Sequence, residues 1–285
     1  VDEFAPRLAF FFVSQADFFE EIAKFRAVRR AYAKIMKHRF GAKNPESMRL
    51  RFHTQTAAAT LTKPQYMVNI VRTTLQALAA VLGGTQSLHT NGMDEAFTIP
   101  TEEAMKIALR TQQVIAEESN VPAVIDPLGG SYFVEHLTTQ MERAIFEVID
   151  EVDRRGGTIK LIEEGWFQRR IADFAYETAL KKASGEKVVL GVNKFVEPNE
   201  KYDIETHPYD PTSAERQIER LRHVRRTRNQ AEVDRLLDKL VAVARNENEN
   251  IMPVTIELVK AGATMGEIVE RLKGLWGTYR ENPVF

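Results

Sequence analysis

The feature that most constrains the fold is a repeat of four short, apolar or β-rich segments, each followed by a helical pattern. The segments begin about 36 to 41 residues apart, which is typical of successive βα units. They occupy residues 8–13 (LAFFFV), 49–54 (RLRFHT), 85–89 (TQSLH) and 122–126 (PAVID). The sequence therefore predicts an α/β fold whose strands lie parallel in one sheet.

The pattern changes after Gly156 and Gly157, which interrupt the fourth helical segment. Downstream helices are predicted at residues 159–184, 213–245, 249–261 and 265–277, with one strand at residues 188–195 (VVLGVNKF). We therefore predict two parts. Residues 1–157 carry the βα units, and residues 158–285 form a mostly helical extension with one short strand.

Charge and composition exclude several classes of protein. Lys and Arg number 39 against 40 Asp and Glu, which argues against a dedicated nucleic-acid binder or a polybasic membrane-surface protein. Cysteine is absent, so disulfides and thiolate metal sites are excluded. No apolar run approaches the roughly 20 residues of a membrane helix, and the first residues carry no secretory signal pattern. These features predict a cytoplasmic protein.

Hydrogen-bonding side chains follow the predicted strands at the points where they end. They are Ser14, Gln15, His53, Gln55, Thr56, Gln86, Ser87, His89, Thr90, Asn91, Asp94, Glu95 and Asp126. Because the carboxyl ends of parallel strands share one edge, these side chains predict a common polar mouth. Asp94 and Asp126, each taken alone, are equally consistent with turn closure.

Familiar catalytic patterns are missing from the sequence. It contains no GxGxxG or GxxxxGK(S/T) segment for a dinucleotide or triphosphate, and no GxSxG nucleophile elbow. The six histidines are not paired at metal-ligand spacing, so no metal site is predicted. Hydrolysis and hydride transfer therefore lack an obvious set of residues.

Several longer segments are similar to a known family. The central one is residues 83–91 (GGTQSLHTN), followed by Asp94, Glu95 and Ala96. Others are residues 53–56 (HTQT), 69–72 (NIVR), 110–113 (RTQQ), 117–119 (EES), 126–132 (DPLGGSY) and 191–194 (GVNK). Together they resemble the methylmalonyl-CoA mutases, which are adenosylcobalamin-dependent acyl-CoA mutases, over essentially the whole chain.

The resemblance implies a specific architecture. The large subunit of that family is a TIM-type (β/α)8 barrel with acyl-CoA threaded through its centre and cobalamin across its carboxyl-terminal face. The four βα units of this sequence resemble the second half of that barrel, followed by the helical extension. The implied partners are an N-terminal barrel half, a separate cobalamin-binding domain or subunit, and further copies in an oligomer. A natural split subunit and a fragment are both consistent with the sequence.

Residues for the acyl-CoA substrate follow from the resemblance position by position. Arg7 matches an arginine that binds the CoA tail, and Ser87 matches a residue on the substrate side of the seventh strand. Ala9 stands where relatives carry a CoA-binding serine, and Glu46 where they carry a lysine, so these two contacts depart from the family. Phe11 matches an aromatic lining of the acyl channel and is equally consistent with a core phenylalanine.

The resemblance also implies residues for the cofactor, adenosylcobalamin. Positions facing the corrin are His53, Gln55 and Ala58, the last replacing a glycine. Glu95 matches the carboxylate that receives the adenosyl ribose hydroxyls, with Ala96 beside it. Gln86 and Glu95 are the residues expected to serve catalysis.

The implied activity is an isomerase reaction, a radical carbon-skeleton rearrangement. The expected reaction is the interconversion of (R)-methylmalonyl-CoA and succinyl-CoA in propionate metabolism, with no turnover in the absence of the other barrel half and the cobalamin-binding domain. Isobutyryl-CoA, 2-hydroxyisobutyryl-CoA and ethylmalonyl-CoA mutases are the alternatives within the family. A non-catalytic assembly module is the alternative from a different class. Because the cofactor supplies the radical chemistry, the lack of a protein nucleophile is consistent with a mutase.

Overall fold

The computed structural model describes residues 1–281, and two compact units are present. The first comprises residues 1–207 and the second begins at Pro208. The change from βα units to helices alone falls at Gly156 and Gly157, inside the first unit. The domain boundary predicted at that point remains a prediction.

The first unit is built around a three-stranded parallel sheet. Strands β1 (Phe10–Ser14), β2 (Phe52–Thr56) and β3 (Ser87–His89) lie in the order β1-β2-β3. The register aligns Phe11 with His53 and His53 with Ser87. The predicted α/β fold with a parallel sheet is therefore confirmed, and successive strands are spatial neighbours.

Helices connect and follow the strands. In the first unit they are α1 (Phe18–Lys34), α2 (Asn69–Leu82), α3 (Glu102–Glu117), α4 (Tyr132–Arg154), α5 (Thr158–Glu163) and α6 (Trp166–Ser184). In the second unit they are α7 (Ser213–Thr227), α8 (Gln230–Ala244), α9 (Met252–Lys260) and α10 (Met265–Trp276). None of these described helices has the length and apolar character of a membrane span.

One face of the sheet is covered by α1 and α2. Phe25 of α1 stacks on Phe52 of β2 with ring centroids 5.4 Å apart, and Phe12 of β1 meets Phe52 edge-on at the same distance. Ala80 of α2 and Leu88 of β3 complete this core. Since side chains alternate along a strand, the neighbours of these residues point to the other face.

The fourth predicted strand, at residues 122–126, is wrong. A short 3-10 turn occupies Val121–Ala123, and Asn120 and Asp126 both adopt left-handed conformations that turn the chain. Ile125 is fully exposed. A strand requires a ladder partner and apolar cover, and the described part of the chain supplies neither to this segment. The half-barrel therefore remains a prediction.

Three downstream elements also differ from the sequence prediction. The strand predicted at residues 188–195 is wrong, because Leu190 bridges to Lys194 across a tight turn that places Gly191 at positive φ. The helix predicted at residues 159–184 is broken by Gly165, which is left-handed. The helix predicted at residues 213–245 is broken where Asn229 caps α8 by accepting a hydrogen bond from the Glu232 backbone N–H.

A buried arginine holds α4 against α1. The guanidinium of Arg26 donates hydrogen bonds to Asp126, to Glu135 at 2.5 Å and to the Thr138 hydroxyl at 3.3 Å. The pKa of Glu135 is lowered, first by the hydrogen bond it accepts from the Gly130 backbone N–H and then by the charge of Arg26. Because its charge is paired, Arg26 is accommodated in a nearly buried position.

The second unit has its own apolar core, and a largely buried arginine forms an ion pair at its edge. Leucines and valines of α8 and α9 form the core, with Leu236, Leu240 and Leu258 almost fully buried. Arg228 donates two hydrogen bonds to Glu267 of α10, at 2.5 and 2.7 Å. These bonds, together with the Thr264 backbone N–H and hydroxyl, lower the pKa of Glu267 to about 2 against the opposing effect of burial.

Replacing Glu267 with Gln should remove much of the acid sensitivity of this unit. The pKa of Glu267 is about 2 in the folded chain and 4.5 ordinarily. Its contribution to stability is therefore present above pH 4.5 and is lost as the pH falls toward 2. The full difference corresponds to about 3 kcal/mol, and solvent screening at a side chain that is 24% exposed reduces it to about 2 kcal/mol.

Urea unfolding measured at several pH values between about 7 and about 3 tests this expectation. Glu270→Gln is the matched control, since Glu270 lies on the same helix and pairs with Lys273 at the exposed surface. The control should follow the parent chain. An unchanged pH dependence in Glu267→Gln would contradict the assignment.

Candidate functional site

The face of the sheet opposite α1 and α2 carries six side chains in two rows. Phe11, His53 and Ser87 form one row across the three strands. Val13, Gln55 and His89 form the next row, nearer the carboxyl ends. We call these six side chains the open face. The structure thus brings together four of the predicted site residues, namely Phe11, His53, Gln55 and Ser87.

In the first row, His53 lies between Phe11 and Ser87 and contacts both. The ring of His53 lies 5.3 Å from the ring of Phe11, and its Nδ1 is 2.7 Å from the Ser87 hydroxyl. Phe11 is 59% exposed although it is a large apolar side chain. The open face is therefore apolar at β1 and polar at β2 and β3, an arrangement suited to a ligand with both kinds of surface.

In the second row, a buried asparagine, Asn91, holds the Gln55 side chain. Gln55 Nε2 donates to Asn91 Oδ1 at 2.9 Å. Asn91 in turn donates twice to Thr56, from its backbone N–H to the hydroxyl at 3.0 Å and from Nδ2 to the carbonyl at 2.9 Å. The sequence placed Asn91 at the polar mouth without giving it a role. Its sequence signals are its place at the end of the segment 83–91 and a short amide side chain two positions after the third strand.

Glu95 lies on a braced loop between β3 and α3. The buried Asp94 carboxylate accepts hydrogen bonds from the Thr101 backbone N–H at 2.8 Å and from its hydroxyl at 3.0 Å. The Asp94 backbone carbonyl accepts from the Phe97 N–H at 2.8 Å. Within the described residues, no donor engages the half-buried Glu95 carboxylate. The loop thus presents an unpaired acceptor, with the exposed Ala96 beside it.

Among the predicted site residues that lie apart from the open face, Gln86 and Ala58 lie at opposite ends of the sheet. Gln86 precedes β3 at the amino end of the sheet, where its Oε1 accepts from the Phe52 N–H at 2.7 Å. Its side chain extends the strand ladder there, at the end of the sheet away from Gln55. Ala58 begins a 3-10 turn just beyond β2, on the carboxyl side, and is half-buried.

The residues predicted at the CoA entrance cluster near the amino end of β1. Arg7 and Ala9 are both exposed. The carboxylate of Glu46, which departs from the family pattern, contacts Arg51 at 2.6 Å and Arg49 at 3.4 Å. Its negative charge is therefore neutralised locally, and it presents little net repulsion to an anionic ligand.

Three polar side chains define the hydrogen-bonding character of the site. His53, Gln55 and Glu95 offer imidazole, amide and carboxylate groups at the open face and its carboxyl edge. No group of three His, Asp or Glu side chains suited to a metal ion occurs within residues 1–281. The open face and its carboxyl edge can therefore both accept and donate hydrogen bonds.

The chain is similar to known proteins over nearly its whole length. The family model described as methylmalonyl-CoA mutase matches residues 1–278. The 2-hydroxyisobutanoyl-CoA mutase large subunit of Aquincola tertiaricarbonis is 76% identical over 285 residues, which cover 100% of this chain and 51% of that protein. The human mitochondrial methylmalonyl-CoA mutase is 42% identical over 284 residues, which cover 99% of this chain and 38% of that protein.

A bacterial relative gives the same result. The methylmalonyl-CoA mutase large subunit of Porphyromonas gingivalis is 41% identical over 281 residues, which cover 98% of this chain and 39% of that protein. The chain thus spans about half or less of the length of these relatives. The match extends over nearly all of the chain and includes the residues of the open face, so the chain belongs to the methylmalonyl-CoA mutase family of acyl-CoA mutases.

Proposed function

We propose that this chain forms the second half of the substrate barrel of an adenosylcobalamin-dependent acyl-CoA mutase. The observation that carries the proposal is the open face, where Phe11, His53, Gln55 and Ser87 lie in register on adjacent parallel strands. In a closed barrel this face would line the interior, because α1 and α2 cover the other side. The remaining βα units and the cobalamin-binding domain would come from partner segments.

The residues present suit the cofactor. Glu95 and the Oε1 atom of Gln55 are acceptors that no described side chain engages, and cobalamin carries amide N–H groups and ribose hydroxyls that can donate to them. When bound, adenosylcobalamin supplies the radical chemistry of the rearrangement. The protein would hold it through His53 and Gln55, with Ala58 leaving room beside them.

The chain's own residues would bind and orient. Glu95 would accept the ribose hydroxyls in charge-assisted hydrogen bonds. Phe11 would contribute an apolar wall that excludes water from the channel. Ser87 would contact the acyl-CoA, and Arg7 its tail. Gln86 would have to exchange its bond to the Phe52 N–H for one to the substrate before it could serve catalysis.

The preferred substrate is 2-hydroxyisobutanoyl-CoA, ahead of methylmalonyl-CoA. Identity to the 2-hydroxyisobutanoyl-CoA mutase large subunit is 76%, against 42% to the human methylmalonyl-CoA mutase. Isobutyryl-CoA and ethylmalonyl-CoA are the further alternatives. The family's carboxylate-binding arginine and acid histidine belong to the first barrel half, so the comparison of substrates requires the assembled enzyme.

A non-catalytic assembly module is the second candidate. Two departures from the family, Ala9 and Glu46, favour it. The pairing of Glu46 with Arg51 and Arg49 weakens that argument, since the carboxylate is compensated. The open face and Glu95 favour the mutase.

Reconstitution tests the proposed function. Strands β1 and β3 each pair along one edge only within the described sheet, so the chain by itself should not turn over any acyl-CoA. Co-expression with an N-terminal barrel half and a cobalamin-binding subunit from a relative should yield adenosylcobalamin-dependent isomerisation. The reaction is measured by chromatographic separation of the substrate and product acyl-CoA. Turnover by the single chain would refute the half-barrel. Failure of the folded, assembled complex with all four acyl-CoA substrates would refute the mutase.

Glu95→Gln in the assembled enzyme should lower activity and adenosylcobalamin affinity. The substitution keeps the shape but removes charge-assisted hydrogen bonds worth about 1.5–3 kcal/mol. Affinity for cob(II)alamin, which lacks the adenosyl group, should change little. Glu103→Gln is the control, because Glu103 is an exposed carboxylate in the first turn of α3. Equal loss of both affinities would indicate a structural role for Glu95.

Arg7→Ala should raise the KM for acyl-CoA more than it lowers kcat. The CoA tail is remote from the reacting carbons, so its contacts are the same in the ground and transition states. The effect should be larger at low salt, because the contact is electrostatic. Steady-state kinetics at two ionic strengths measure it, with Arg39→Ala as control, an exposed arginine that pairs with Asp153. A fall in kcat at unchanged KM would contradict the tail-binding role.

A further inference from the structure

The hydrogen bonds around Asn91 determine which end of the Gln55 amide, the oxygen or the nitrogen, is turned away from Asn91 and left available on the open face. The carbonyl of Thr56 can only accept a hydrogen bond, so the Asn91 atom 2.9 Å from it must be the amide nitrogen, Nδ2. The other end of that amide, Oδ1, therefore faces Gln55. Since Oδ1 only accepts, Gln55 must turn its own nitrogen, Nε2, toward it.

Burial makes this arrangement costly to reverse. Asn91 is 2% exposed and Thr56 is 1% exposed. The Asn91 backbone N–H also donates to the Thr56 hydroxyl. Two hydrogen bonds to Thr56 therefore hold Asn91 in place, in addition to the one it accepts from Gln55. Flipping the Asn91 amide would set its oxygen against the Thr56 carbonyl and leave two buried acceptors without a proton between them.

We propose that Asn91 is a positioning residue that fixes the Gln55 amide with its carbonyl oxygen, Oε1, toward the bound ligand. Gln55 then recognises a hydrogen-bond donor, and no other described residue engages that oxygen. The inference rests on the proposed function, in which Gln55 lies against the cofactor. Two donors of the cofactor have this chemistry, namely the side-chain amides of the corrin and the hydroxyls of the adenosyl ribose.

A double-mutant cycle in the assembled mutase tests the proposal. The variants are Asn91→Leu, Gln55→Met and the two combined, with affinities for cob(II)alamin and adenosylcobalamin measured by absorbance titration. Asn91→Leu alone should weaken binding about five- to tenfold, the effect of one misplaced hydrogen bond. In the Gln55→Met background the same change should alter affinity less than about twofold, because Asn91 acts only through Gln55.

The two cofactor forms separate the two donors. Weaker binding of both forms assigns the donor to the corrin amides, and weaker binding of adenosylcobalamin alone assigns it to the ribose; either result supports the proposal. An equal loss caused by Asn91→Leu in both backgrounds would overturn it, because Asn91 would then act directly or through the fold. If wild-type assembled enzyme binds neither form, the proposed function itself fails, which is a distinguishable result.

A second variant covers the case in which Asn91→Leu does not fold. Asn91→Asp retains an oxygen toward Gln55, but it replaces the donor to the Thr56 carbonyl with a second carboxylate oxygen that repels that carbonyl. It should lower the Tm while keeping cobalamin affinity within about threefold of wild type. A tenfold or greater loss of affinity in folded Asn91→Asp would overturn the proposal, since the acceptor that orients Gln55 is still present.

Discussion

Aromatic packing between α1 and β2 determines which face of the sheet is free. Phe25 stacks on Phe52, and Phe12 closes the contact from β1. Because side chains alternate along a strand, this core directs His53 and Gln55 to the opposite face. A slip of one residue in register would exchange the two sets and bury the histidine against α1. The position of every open-face residue therefore depends on the packing of a core on the other side of the sheet.

Polar contacts on the covered side link the sheet to the loops at its carboxyl edge. Gln76 of α2 accepts from the Ala57 N–H, and its backbone carbonyl accepts from the buried Ser14 hydroxyl. Asn69 donates to the Met93 carbonyl in the loop that carries Glu95. Buried polar groups that are fully paired in this way rigidify their surroundings. The loops at the carboxyl edge are thus held by α2 as well as by the strands.

The open face is polar but carries no acidic or basic side chain among Phe11, Val13, His53, Gln55, Ser87 and His89 other than its histidines. Several charged side chains away from it are neutralised by ion pairs. Arg26 is paired with Asp126 and Glu135, and Glu46 with Arg51. The six side chains of the open face offer amide, hydroxyl, imidazole and apolar groups, with the Glu95 carboxylate at its edge. Such a surface can exclude water and orient a large ligand without supplying a nucleophile, which agrees with a family whose cofactor performs the bond-breaking step.

The sequence by itself determined the first three strands to within three residues, the helices that follow them, the placement of His53 and Gln55 near the end of the second strand, and the family. These properties depend on residues close together in the chain, because apolar periodicity and turn-forming residues indicate local structure directly. Only the tertiary structure decided the pairing of Glu46, the binding of Gln86 to the β2 backbone and the orientation of Gln55 by Asn91. It also left residues 122–126 without a strand. The physical reason is the same in each case, because a hydrogen bond or a strand ladder depends on which distant group lies opposite, and local sequence does not specify that group.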